Sequence, residues 1–123
     1  EVMDGALASL IEDLHNTGML EKTMVIMLSE FGRTPRINDN AGRDHWAPVF
    51  SGFMAGGGIS GGQVIGSSDE DGAMPKDRPV EVADIHATLC HALGIDHEKE
   101  VMTPLLRPMK LVDNGSPVME LYS

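Results

Sequence analysis

The residues of this 123-residue chain that could do chemistry gather in one stretch, Ser29-Glu30-Phe31-Gly32-Arg33-Thr34-Pro35 followed by Gly42-Arg43-Asp44-His45-Trp46. Two carboxylates, Glu30 and Asp44, and the imidazole of His45 could coordinate a divalent cation such as zinc, calcium, magnesium or manganese. Arg33 and Arg43 could hold the oxygens of a phosphate or sulfate group. Hydrolysis of an anionic ester needs those two ingredients. The same spacing also admits quieter roles, with Glu30 as a helix cap or salt-bridge partner and Asp44-His45 as groups that order a loop.

Other polar positions read as structural. His86 and Cys90 stand four apart on a helical pattern, but two ligands on one helix make an incomplete metal site and both flank an apolar face. His15, His91 and His97 fall at surface or helix-end positions. The glycines from Gly56 to Gly62 lack the Lys-Ser/Thr of a P-loop and the spaced dinucleotide fingerprint, so turns and close strand packing account for them better. Met24, Met27 and Met54 alternate with aliphatic residues and read as core filler.

The elements that must position the stretch follow from periodicity. Met3, Leu7, Leu10 and Leu14 recur at helical spacing, which predicts a helix over Glu1–Asn16 stopped by Gly18. Thr23–Ser29 is short, nearly all apolar and free of Gly and Pro, which predicts a central strand covered on both faces. Residues Glu30–Trp46 are too polar and too rich in Gly, Pro, Asn and Arg for a regular element. They are expected to form a long loop at the strand's C-terminal end, where ligands bind in open α/β sheets. Ala47–Ala55 regains strand character, Gln63–Ile65 is expected to add a short strand, and Ser67–Pro79 reads as a solvated acidic loop. A second helix over Pro79–Leu93 has Val82, Ile85, Leu89 and Leu93 on one face and ends at Gly94. The expected fold class is α/β, a sheet sandwiched by helices. Its domain spans residues 1–103, and residues 104–123, with three prolines, form a peripheral tail.

Nineteen acidic against nine basic side chains give a formal charge of −10, which disfavours nucleic acid and anionic membranes as partners. No apolar run approaches the roughly 18 residues needed to span a bilayer, so no membrane insertion is expected. A chain of this length buries roughly two-thirds of its surface on folding, enough for a core without staples, and the lone Cys90 cannot form an internal disulfide. The opening Glu1-Val2-Met3-Asp4 has no initiator methionine and enters the amphipathic pattern at once. The chain is therefore expected to be the C-terminal piece of a longer polypeptide, with the missing N-terminal half as its partner. No signal segment opens it, which leaves localisation open, export of the longer polypeptide included.

The motifs SEFGRTPRIN, GRDHW, FMAGGGISGGQVIG and DRPVEVADIHATLCHALGID, spread over Leu7–Asp96, resemble the C-terminal part of domain of unknown function family 1501. That bacterial family is grouped with the alkaline phosphatase and sulfatase superfamily. The resemblance implies a sulfatase-like sheet and a metal-dependent hydrolase of sulfate or phosphate esters. In the superfamily, the strand matching Met24–Leu28 ends in a Ser or Thr, Asp, His, Gly signature whose Asp and His bind metal. Here it reads Ser29-Glu30-Phe31-Gly32, so Glu30 retains carboxylate oxygens while Phe31 cannot ligate. His45, followed by Pro48, resembles a further superfamily ligand and is the best ligand candidate, with Asp44 next. The superfamily's nucleophile and remaining carboxylates come from the N-terminal half, so no catalytic residue is assigned in this chain, Cys90 included. The alternatives are a non-catalytic sulfatase-like fold whose pocket binds a polysaccharide or partner protein, and a purely structural fragment.

Overall fold

The apolar stripe at helical spacing becomes α1, Val2–Asn16, in a computed structural model that describes residues 2–123; Glu1, where the expected helix begins, lies outside them. Leu7, Ile11 and Leu14 are half-buried along this stripe, whereas Met3 and Leu10 are exposed. Gly18, at φ 69°, ends the helix in a Schellman motif. Its N–H donates to the His15 carbonyl (3.0 Å), and the Met19 N–H donates to that of Leu14 (2.8 Å). A 3₁₀ turn, Leu20–Lys22, follows and is the main neighbour of α1.

The chain is mixed α/β and divides into two compact units, Glu1–Pro79 and Val80–Ser123. The first unit carries β1 (Val25–Met27), β2 (Gly32–Arg33), β3 (His45–Trp46), β4 (Phe53–Ala55), β5 (Ser67–Ser68) and β6 (Pro75–Asp77). They pair as three antiparallel ribbons of two strands each, β1 with β4, β2 with β3 and β5 with β6. In the first ribbon Val25 faces Ala55, Ile26 faces Met54 and Met27 faces Phe53.

This corrects the expected central strand. The run Thr23–Ser29 does contain β1, but all three strand residues are only half-buried and Leu28 is 43% exposed. An apolar run with content for two covered faces needs neighbours on both sides and layers above and below. The described residues supply β4 as its one strand neighbour. No larger sheet sandwiched by helices is present among the described residues. Gln63–Ile65 is not a strand, and the expected acidic loop instead contains the β5–β6 hairpin.

The second unit begins with α2, Val82–Ala92. The Asp84 carboxylate reaches back to accept from the Glu81 N–H (2.9 Å), closing the N-terminus. Gly94 repeats the Schellman ending, its N–H donating to the His91 carbonyl and that of Ile95 to Cys90. A ribbon of β7 (Glu100–Met102) and β8 (Pro108–Lys110) follows, then a 3₁₀ turn, Met119–Tyr122. The buried residues among those described, Ala87, Thr88, Val112 and Val118, all lie in this unit. The segment expected as a peripheral tail thus supplies half of them. Thr88 Oγ1 donates to the Asp84 carbonyl (2.7 Å) and accepts from the Val118 N–H (2.9 Å), hanging the chain end on α2. No helix of the described residues is long and apolar enough to cross a membrane.

Candidate functional site

Strands β2 and β3 bring the chemistry-bearing stretch together as a hairpin. Gly32 pairs with Trp46, and Arg33 pairs with His45. Side chains alternate along strands, so Arg33 and His45 share one face and Trp46 takes the other. Gly32 is glycine because its backbone runs against the Val49 carbonyl, where any Cβ would collide. On the Arg33 face the rings of Phe31 and His45 stack at 3.7 Å between centroids and 22° between planes. The Arg33 guanidinium carbon lies 5.5 Å from the centroid of the Phe31 ring. Phe31 therefore serves as the platform for the imidazole and the guanidinium beside it. Arg33 and His45 are both exposed.

The loop between the strands is held by its own side chains. Asn38 Oδ1 accepts from the N–H groups of Asn40 (3.0 Å) and Gly42 (3.0 Å), and its Nδ2 donates to Asp44 Oδ1 (2.8 Å). The Asp44 N–H donates to Thr34 Oγ1 (3.1 Å), and the Thr34 N–H donates to the Asp44 carbonyl (3.0 Å). Arg43 Nη1 donates to the carbonyls of Thr34 and Pro35, so this guanidinium clamps the backbone. Arg33 uses Nη1 on the Arg43 carbonyl (3.1 Å). Three of the chain's five arginines, Arg33, Arg36 and Arg43, fall in the stretch 29–46 against Glu30, Asp39 and Asp44, which leaves it neutral in a chain of −10.

The structure thus groups Arg33, Arg43, Asp44 and His45 on one hairpin. Glu30 sits exposed at the bend before β2 and shares no hydrogen bond with them among the described residues. No three His, Cys, Asp or Glu side chains are grouped as a set able to hold a metal ion, again among the described residues. Of the trio Glu30, Asp44 and His45, Asp44 Oδ1 accepts from Asn38 and the His45 ring stacks on Phe31, and the three are not grouped as one such set among the described residues.

Thr34, Asn38 and Trp46 are residues that sequence reasoning passed over. The signal for Asn38 was its position ahead of Asp-Asn, where Asx side chains cap turns. For Trp46 it was being the single tryptophan, at the edge of a polar stretch. Its Nε1 donates to the Ala73 carbonyl (2.7 Å), tying β3 to the β5–β6 turn.

The sequence model of a family described as "Protein of unknown function (DUF1501)" matches residues 1–122. No curated protein and no solved structure matches the chain.

Proposed function

We propose that this chain, which belongs to the DUF1501 family, supplies the anion-recognising face of a protein that acts on a sulfate or phosphate ester. The observation that carries this reading is the direct cross-strand pairing of Arg33 with His45 on an exposed face backed by Phe31. A guanidinium and an imidazole fixed side by side present several N–H donors to the tetrahedral oxygens of such a group.

Arg33 and His45 would bind and orient the ester oxygens, and Arg43 would hold the loop that sets their spacing. No step is routed through a metal, since no three His, Cys, Asp or Glu side chains are grouped to hold one among the described residues. The ester class comes from the sulfatase-like resemblance of the four motifs, and no nucleophile is assigned in this chain. A binding role without turnover is the second reading, favoured by the engagement of Asp44 within the loop.

The test is a titration with phenyl sulfate and phenyl phosphate, read by calorimetry and by shifts of the His45 ring protons, beside turnover of aryl sulfates and aryl phosphates by the protein. Saturable binding that Arg33→Ala weakens about tenfold is expected for loss of one charge-assisted contact at an exposed site. Turnover that falls in parallel supports the hydrolase, and binding without turnover supports the second reading. Absence of saturable binding by the wild type refutes both.

A further inference from the structure

The opposite side of the same hairpin opens onto a cleft of about 750 Å³. Thr34, Pro35 and Arg36 line it from the loop after β2, Trp46 from β3, and Glu70 and Asp71 from the β5–β6 turn. It is an open groove rather than an enclosed cavity. The lining is braced from behind. The Trp46 indole is pinned by its bond to the Ala73 carbonyl, and Thr34 and Pro35 are held by the Arg43 guanidinium. Asp69 accepts from the N–H groups of Ala73 (2.7 Å) and Met74 (3.2 Å), fixing the turn that carries Glu70 and Asp71. A cleft whose walls are already ordered loses little entropy on binding.

The side chains of Arg36, Glu70 and Asp71 make no hydrogen bond or ion pair among the described residues and are exposed to a ligand. Their chemistry selects its class. A cation would suit the two carboxylates and the indole but meet Arg36, and an anion would suit Arg36 but meet the carboxylates. A neutral polyol uses all of them: its hydroxyls donate to Glu70 and Asp71 and accept from Arg36, and its C–H face lies on the indole and Pro35. We infer that this cleft is a binding site for a short segment of neutral saccharide, separate from the Arg33–His45 face and independent of the function proposed for it.

Trp46 is the single tryptophan of the chain, so its emission reports on the cleft directly. The protein is titrated with cellobiose, maltose, xylobiose and diacetylchitobiose, with calorimetry in parallel and spermidine as a cationic competitor class. Saturable quenching by at least one saccharide is expected, weakened about tenfold or more when Glu70→Gln and Asp71→Asn are combined. Both substitutions are on exposed side chains and leave the bracing bonds intact. Arg33→Ala, on the other face, should leave saccharide affinity unchanged, which separates this site from the anion face. No saturable response to any of the four sugars overturns the inference. So does a response to spermidine alone, or saccharide binding that the double variant does not weaken.

Discussion

Asn38 is the residue on which the order of the 34–44 loop depends, and replacing it with alanine should release that loop without unfolding the chain. Its carboxamide makes three hydrogen bonds, to the N–H groups of Asn40 and Gly42 and to Asp44 Oδ1. The two accepted bonds bracket Ala41, a non-glycine residue held at φ 57°. A left-handed conformation costs an L-residue roughly 1–2 kcal/mol. Each hydrogen bond contributes on the order of 1 kcal/mol net, so the two bonds about offset the strain and the bond to Asp44 tips the balance. In Asn38→Ala all three are lost, and only the backbone bonds from the Asn38 N–H to the Gly42 carbonyl (2.8 Å) and from the Ala41 N–H to the Asn38 carbonyl (3.0 Å) remain against the strain at Ala41. The assay is amide hydrogen exchange by NMR. Since Asn38 Oδ1 is the acceptor for both amides, Asn40 and Gly42 should each exchange roughly fivefold faster, the factor that corresponds to about 1 kcal/mol. Ala41→Gly in the same background removes the strain and should restore part of the order. Asn38→Asp keeps both acceptors and should retain both amides' protection while losing the donor to Asp44. Unchanged exchange at both amides in Asn38→Ala, or no recovery on adding Ala41→Gly, would refute the reasoning.

Four further outcomes follow from packing and burial. Gly32→Ala should destabilise the first unit by about 1–3 kcal/mol and change Trp46 emission, because the new methyl meets the Val49 backbone rather than a movable side chain. Gly5→Ala, in α1 with nothing within 4 Å of its Cβ position, should instead stabilise by about 0.5–1 kcal/mol, both read by urea denaturation. Thr88→Val should cost about 1–3 kcal/mol by leaving the buried Val118 N–H without an acceptor, while Thr88→Ser keeps both bonds and should lose less. Burial raises the pKa of Tyr122 above its ordinary value of 10.0, favouring the neutral phenol in the folded state. Its contribution to stability is therefore complete below about pH 10 and is lost as pH rises through the higher folded value. Thermal denaturation of wild type and Tyr122→Phe across that range should show the difference between them closing from below to above it.

What was legible in the sequence was what is decided locally. Both helices end where their glycines stand, at Gly18 and Gly94, because the apolar period and the left-handed cap need no information from elsewhere in the chain. The apolar run around β1 announced a strand, but its number of neighbours depends on which segments come to lie beside it, and Met24–Leu28 carries no mark of that. The β2–β3 and β5–β6 ribbons were invisible for a different reason. A strand of two residues is too short to show alternation, and Ser67–Ser68 opposite Pro75–Asp77 offers no apolar residue to alternate. Asp69, through its carboxylate on the turn amides, shapes that hairpin, and a lone Asp among acidic neighbours reads as solvated charge.

The site divides along the same line. That Arg33, Arg43, Asp44 and His45 would be neighbours was legible from their place in one stretch, yet equal side chains there do unequal work. The loop from Thr34 to Asp44 has little regular pairing, so its carbonyls and N–H groups need partners from side chains. Arg43, Asn38 and Thr34 meet that need, and Asp44 is drawn into it. At the two-residue ladder the backbone pairs with itself, and the side chains that project from it, Arg33 and His45, keep most of their donors for something else. The side chains on this short ladder thus escape the work of ordering the loop that Arg43, Asn38 and Thr34 do, and the Phe31 ring packs against both of them.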